Sequence, residues 1–254
     1  MNTRWITSRD NPHLVRLRKQ LRSPGGYRST SQVWLEGDHL CRAAVQRGRA
    51  LPQLFVTEAM AHTHADLVSV AADVVLLPPA LFDGLSALES PAGLAALIDL
   101  PAGAAPEPAT PSVVLDGLQD AGNVGSILRS AAALGVRQVL ALKGTAALWS
   151  PKVLRAGMGA HFGLRLVEGL TVDDLDGLAL PLVATSSHAS GTLPAADLPS
   201  PCAWVLGHEG QGVSADLMAR CSLTVRIPQP GGEESLNVAA AAAICFYESL
   251  RRLQ

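Results

Sequence analysis

The apolar and polar positions of this chain fall into two patterns on either side of a proline-rich break. Ahead of the break, residues 32–36 (QVWLE), 54–57 (LFVT), 73–77 (DVVLL) and 94–100 (LAALIDL) are apolar runs of strand length. Residues 11–21 set Leu14, Leu17 and Leu21 at helical spacing among basic residues, and residues 39–47 carry a second helical pattern. Together they predict a small α/β module. Past the break, residues 112–115, 138–142, 180–184, 203–206 and 223–227 predict strands, and residues 124–134, 151–160, 214–221 and 236–253 predict helices. These later strands are near-continuous apolar runs, as in strands covered on both faces. The expected fold class is therefore α/β, with a mostly parallel sheet flanked by helices in the C-terminal part and a smaller N-terminal α/β domain. The break itself, residues 101–111 (PAGAAPEPATP), has no apolar period, and its prolines remove backbone donors. It is expected as a linker between domains at 1–100 and 112–254.

A length of 254 residues suits two modest domains, and 48% hydrophobic against 17% charged residues excludes disorder. No apolar run reaches the ~18–20 residues of a membrane span, and the first residues lack the apolar core of a secretory signal. Cys41, Cys202, Cys221 and Cys245 stand alone, without a CxxC pair, so neither a disulfide framework nor a zinc site is expected. These features point to a cytoplasmic protein with no metal and no membrane partner. Charge changes the picture more. The net charge is −2, yet the first fifty residues hold ten Lys and Arg against three Asp and Glu. Nine of those ten cations are arginine, whose guanidinium forks suit phosphate oxygens. A basic arm on an acidic body is the footprint of a polyanion partner, though a solvated basic helix would share it.

Three segments after predicted strands carry candidate chemistry, where α/β sheets hold ligands. Residues 115–130 (LDGLQDAGNVGSILRS) turn on glycines and open a helix near Val124, with Asn123 as the expected N-cap and Arg129 further along. A plain β-turn-helix junction would look the same. Residues 204–213 (WVLGHEGQGV) set three glycines around Glu209, which allows close backbone approach to a ligand or simply a tight turn. The glycine order is not GxGxxG, and no GxxxxGK[ST] occurs, which excludes a P-loop. Residues 226–238 (RIPQPGGEESLNV) place Ser235 and Asn237 around Leu236 at the start of a long helix, where they either cap it or hold a substrate hydroxyl. His208 is expected to face solvent and Trp204 to pack in the core.

DGLQDAGNVGSILRSA, VLGHEGQGV and IPQPGGEESLNVAAA resemble, in order, the three motifs of the SpoU (also called TrmH) family of SPOUT-class methyltransferases. The resemblance covers essentially all of residues 111–254. SPKVLRAGMGAHF is similar to the family stretch between motifs one and two, with Gly157 where serine is frequent. ITSRDNPHLVRLRKQL and VWLEGDHL resemble, over a shorter length, the RNA substrate-binding domain often fused to this enzyme. The resemblance implies transfer of a methyl group from S-adenosylmethionine to a ribose 2′-hydroxyl of RNA, with ribosomal RNA favoured over transfer RNA. It also implies a C-terminal trefoil knot and a homodimer with the active site near the subunit interface.

Carried over by residue, Leu206, Gly207, Ile227, Pro228 and Leu236 would line the cofactor pocket, with Thr185 beside it. Asn123, Arg129, Glu209, Ser235 and Asn237 fall on the family's polar catalytic positions. Arg16, Arg18, Lys19, Lys152 and Arg155 would contact RNA phosphates. Arg129 is the proposed base of related enzymes. A guanidinium with a pKa above ~12 is better suited to clamping a phosphate or stabilising a developing alkoxide. Glu209 would then hold Asn123 or Arg129. Two other readings are a catalytically silent RNA-binding protein and a nicotinamide-dependent dehydrogenase, whose fingerprint is missing.

Overall fold

The computed structural model describes residues 2–101, 103, 105–231 and 235–254. Its contacts divide the chain into two units, Met1–Ala102 with Trp149–Phe162, and Gly103–Leu148 with Gly163–Gln254.

The first unit runs β1 (Asn2–Trp5), α1 (Pro12–Leu21), α2 (Tyr27–Thr30), β2 (Gln32–Glu36), α3 (Asp38–Gln46), β3 (Leu51–Val56), α4 (Glu58–Thr63), α5 (Ala65–Val70), β4 (Ala71–Leu76), α6 (Pro79–Asp83) and β5 (Leu94–Asp99). Its sheet has the order β1-β4-β3-β5-β2, with β5 antiparallel to both its neighbours. Helix α1 starts where Asn11 Oδ1 accepts the His13 N–H at 2.9 Å and Pro12 fits the first turn. Leu14 and Leu17 then pack with Trp34, Phe55 and Phe82 in one core cluster. Each fully buried leucine contributes about 1.5–3 kcal/mol, which ties the helix to the sheet. Arg16 and Lys19 remain exposed on it.

The second stretch of chain runs β6 (Ser112–Asp116), α7 (Ala121–Ala133), β7 (Gln138–Leu142), α8 (Pro151–Gly157), β8 (Arg165–Leu170), β9 (Leu182–Thr185), β10 (Ala203–Gly207), α9 (Ala215–Arg220), β11 (Leu223–Val225) and α10 (Val238–Arg251). Six strands form a sheet of order β11-β9-β10-β6-β7-β8, parallel throughout. From β6 the chain moves outward to β7 and β8, then returns on the far side through β9 and β10. The order reverses between β6 and β10. Val114, Val205 and Leu217 share a core cluster on one face. On the other, α7 packs against α10, and Trp204, 1% exposed as expected for a core residue, donates from Nε1 to Ser249 Oγ at 3.0 Å.

Two features bear on the expected boundaries. From Ala105 onward the proline-rich break is bonded to the second unit. Glu107 N–H donates to Gln138 Oε1 at 2.7 Å, Ala179 N–H donates to the Pro108 carbonyl at 2.8 Å, and Arg165 pairs with Glu107. The prolines leave this stretch without its own period while its carbonyls serve as acceptors for the second unit. Segment Trp149–Phe162, including α8, groups with the first unit, where α8 packs on β2. Its Trp149 stacks near His161 and Phe162, with ring centroids 5.1 and 6.1 Å away. No helix among the described residues is long and apolar enough to cross a membrane.

Candidate active site

The site grows from two loops at the carboxyl ends of β6 and β10. Behind β6, Leu118 is fully buried and its carbonyl accepts the Ala146 N–H at 2.8 Å, which pins the loop. Helix α7 then begins earlier than the pattern suggested. Asp120, not Asn123, is its N-cap, with Oδ1 accepting the Asn123 N–H at 2.6 Å. Asn123 is the third residue of the helix, so its side chain is released from capping.

Behind β10 the chain doubles back at once. A Cβ on Gly207 would overlap the backbone of Gly212 and Val213, so only glycine fits. Gly212 has φ +73°, and its N–H donates to the His208 carbonyl at 2.8 Å. His208 does not face solvent as expected. It is half-buried, and its Nδ1 accepts the N–H groups of Gly210 and Gln211 at 3.0 and 3.3 Å. Two donors on Nδ1 place the ring proton on Nε2.

This turn holds Glu209 against the β6–α7 loop. Its Oε1 accepts from Asn123 Nδ2 at 3.2 Å and from the Asp120 N–H at 3.4 Å, and Oε2 accepts from the Gln119 N–H at 3.5 Å. Partial burial opposes ionisation of Glu209. Donation from its own N–H, from the Asn123 amide and from the two loop N–H groups outweighs it, and the pKa falls below the usual carboxylate value. A carboxylate so held is a poor proton acceptor and a good anchor.

The third motif joins through Asn237, the N-cap of α10. Its Oδ1 accepts the Ala239 and Ala240 N–H groups at 2.9 and 3.3 Å. That capping commits the oxygen, so Nδ2 must donate, and it reaches Asn123 Oδ1 at 2.9 Å. Asn123, accepting on oxygen, must in turn aim its amide nitrogen at Glu209. Each amide orientation follows from the next, and the relay Asn237–Asn123–Glu209 runs in one direction.

Of the five expected catalytic positions, the structure bonds these three together. Ser235 is exposed two residues before Asn237. Arg129 is exposed on α7, six residues and about 9 Å along the axis from Asn123. Among the described residues it makes no hydrogen bond or ion pair, and Glu209 holds Asn123 rather than Arg129. Of the expected cofactor positions, Leu206 is fully buried, Thr185 and Ile227 are half-buried, and Pro228 and Leu236 are exposed on their loops. The expected phosphate contacts Arg16, Arg18, Lys19, Lys152 and Arg155 all belong to the first unit.

Sequence reasoning passed over two features. Gln229 Oε1 is buried and has no hydrogen-bond partner among the described residues. A cleft of about 380 Å³ also opens between the ends of β6 and β10, with Asp116, Gln119 and Gln211 in its lining. Their position just after strand ends was the available signal. Among the described residues no cluster of His, Cys, Asp or Glu could hold a metal. Burial pushes the thiols of Cys41 and Cys245 up to about 12, which leaves them inert.

Comparison with known proteins agrees with this architecture. A sequence model of the SpoU rRNA Methylase family matches residues 111–247. An uncharacterized tRNA/rRNA methyltransferase of Synechocystis is 32% identical over 257 residues, covering 97% of this chain and 93% of that protein. A 23S rRNA (guanosine(2553)-2′-O)-methyltransferase of Bacillus subtilis is 28% identical, covering 90% and 92%. Among solved structures, an RNA 2′-O ribose methyltransferase superposes with a TM-score of 0.82 at 33% identity, covering 99% of this chain and 100% of that one. The SpoU methyltransferase AviRb of Streptomyces viridochromogenes, in complex with AdoMet, gives 0.86 at 25% identity, covering 96% and 98%. With all three motif segments inside the matched region and the fold shared end to end, this chain belongs to the SpoU rRNA methylase family.

Proposed function

We propose that this protein transfers the methyl group of S-adenosylmethionine to a ribose 2′-hydroxyl of RNA, with ribosomal RNA as the favoured substrate. The observation that carries the reading is the relay Asn237–Asn123–Glu209, which ties the three motif loops together at the carboxyl ends of the central strands β6 and β10. Family membership and the full-length likeness to RNA 2′-O-methyltransferases support it.

The residues present fit the cofactor. Ile227, Pro228 and Leu236 offer apolar surface for a flat purine, the fully buried Leu206 and half-buried Gly207 lend backbone groups, and the unspent Gln229 Oε1 suits an exocyclic amine. When bound, S-adenosylmethionine supplies a methyl group already activated by its sulfonium, so the protein's task is alignment. Ser235 and Asn237, side by side at the start of α10, hold the ribose. Capping of α10 fixes Asn237, Asn237 fixes Asn123, and Asn123 meets the Glu209 carboxylate. Arg129, exposed on α7, clamps the neighbouring phosphate and stabilises the hydroxyl oxygen as it loses its proton. Residues 1–100 serve as the RNA-docking domain through Arg16, Arg18 and Lys19, joined by Lys152 and Arg155, and residues 112–254 as the methyltransferase domain.

Two copies pair, supported by the exposed Ile244 and Tyr247 on α10. A trefoil knot is supported by the course of the chain after β11. The Arg226 N–H donates to the Gly191 carbonyl at 2.9 Å, and the Leu193 N–H donates to the Arg226 carbonyl at 2.8 Å. Arg252, past α10, donates to the Leu193 and Ala196 carbonyls at 2.8 and 2.7 Å. The site of action is the cytoplasm, where ribosomal RNA is made available to a protein with reduced thiols.

The test is transfer of tritium from labelled S-adenosylmethionine to total RNA from cells lacking the gene. A 2′-O-methyl group blocks alkaline cleavage of the adjoining phosphodiester, so the label is expected in alkali-resistant dinucleotides. Label confined to bases, or no transfer, refutes the reading.

A further inference from the structure

The cleft between β6 and β10 has no role in the relay described above. We infer that it is a pocket for the base of the nucleotide being methylated, and that it selects guanine through Asp116. The inference rests on the methyltransferase reading for its purpose and on the cleft's own chemistry for its ligand.

Position is the first support. The cleft lies where strand order reverses, at the carboxyl ends of β6 and β10, the place where open parallel sheets bind ligands. It shares its walls with the relay. Gln119 lines it while its N–H donates to Glu209, and His208 and Gln211 line it from either side of Glu209. The proposed cofactor groups Thr185 and Ile227 lie on the opposite side of β10, toward β9 and β11. A base in the cleft thus leaves its ribose at the relay, between donor and acceptor sites.

Chemistry is the second. About 380 Å³ accommodates a nucleoside and falls within the usual range of small-ligand sites. The lining contains no lysine or arginine and does contain a carboxylate, so a phosphate is excluded. Polar and apolar surface line it about equally, so a wholly apolar ligand is a poor match. Gly117 and Gly212 face open space, where a Cβ would meet nothing within 4 Å. Bare backbone of this kind allows a flat ring to approach closely.

The edge contacts then choose the ring. Asp116 Oδ2 accepts the Ser214 N–H at 2.7 Å, and Oδ1 has no partner among the described residues. A carboxylate with one oxygen free and the other half used accepts two adjacent donors. Guanine presents such a pair on its Watson–Crick edge, N1–H and the N2 amine. Adenine presents an acceptor at N1, which a carboxylate repels. His208 Nε2–H and the side-chain amides of Gln119 and Gln211 remain to serve the guanine acceptors O6 and N7.

The test is equilibrium dialysis of the full chain against tritiated guanosine, inosine and adenosine, with labelled S-adenosylmethionine measured in parallel. Guanosine is expected to bind at least tenfold more tightly than adenosine, with inosine, which lacks the N2 amine, in between. Asp116→Asn keeps an oxygen for the Ser214 N–H and is expected to bring guanosine within twofold of adenosine. Gln211→Ala, on an exposed turn whose backbone bonds do not involve its side chain, guards against misfolding and is expected to weaken guanosine severalfold. Both variants should take up S-adenosylmethionine like the parent. Equal binding of the three nucleosides, no guanosine uptake, or unchanged preference in Asp116→Asn overturns the inference. Guanosine selection that depends on Asp116 without any S-adenosylmethionine uptake would instead sink the methyltransferase reading and leave the pocket standing.

Discussion

Replacing Asn123 by aspartate changes the chemistry of one terminal atom and almost nothing of the side chain's shape, so it isolates the relay. Asn123→Asp keeps an acceptor for Asn237 Nδ2, now at 2.9 Å from Oδ1. It converts the 3.2 Å donation to Glu209 into an approach of two carboxylates. At about that distance two unit charges repel by about 1.3 kcal/mol in bulk water and about 5 kcal/mol at an effective dielectric of 20. The pair is near the surface, and water and salt bring the cost toward the lower figure. With the charge-assisted hydrogen bond also lost, the net local destabilisation is about 2 kcal/mol, or roughly thirtyfold in an equilibrium. Asn123→Ala removes the donor without adding charge, and about 1 kcal/mol, or roughly fivefold, is expected.

The pH dependence has opposite sign in the two cases. In the parent chain the Glu209 pKa is depressed, so its stabilisation is complete above the unfolded value and fades as pH falls through the folded one. In Asn123→Asp the two carboxylates share a proton and their first pKa rises, so the loop regains stability on acidification. The readout is amide hydrogen exchange at Gln119 and Asp120, whose N–H groups donate to Glu209, as a ratio to the parent at each pH. The aspartate variant is expected to exchange faster than the alanine variant at pH 8 and to approach the parent near pH 5. Equal exchange in the two variants at pH 8 would refute the relay's polarity.

Gly207→Ala forces the 207–213 turn away from backbone it already touches, and about 1–3 kcal/mol should disappear from the urea unfolding free energy; an unchanged midpoint would contradict the close approach. Asp120→Ala removes the N-cap of α7 and is expected to cost about 1 kcal/mol, seen as a drop of about 2–4 °C in the melting temperature, whereas Asp120→Asn should melt close to the parent. Glu248 is held at a pKa of about 2 by hydrogen bonds from Arg251 and then Arg252. Its contribution is present above about pH 4.5 and is lost as pH falls toward 2, so Glu248→Gln should lower stability in the neutral region, flatten the acid limb of the profile, and leave stability near pH 2 little changed.

What could be read from the chain alone follows from where burial dominates. Strands β6, β7 and β10 carry apolar side chains on both faces, and their runs declared them to within a residue or two. The edge strand β8 escaped notice because Arg165, Glu168 and Gly169 interrupt it, and an edge needs no second apolar face. β1, with the sequence NTRW and mostly exposed, gave no apolar signal at all. The proline-rich stretch is silent about its bonding for a related reason. Absence of periodicity reports that a segment builds no element, and says nothing of the carbonyls it lends to Gln138, Arg137 and Ala179.

The site divides along the same line. Asp120 and Asn123 are both good N-caps, and local propensity cannot choose between them. The choice is made by partners 86 and 114 residues away, Glu209 and Asn237, which claim the Asn123 amide and leave the cap to Asp120. Motif residues are therefore legible as positions, because glycine and polar residues after apolar runs stand out. Their roles are settled by which donor meets which acceptor across loops, and that depends on the backbone closing as tightly as Gly207 and Gly212 allow. A single aspartate in the wrong link reverses one donor, and the direction imposed from α10 through Asn123 to Glu209 is lost with it.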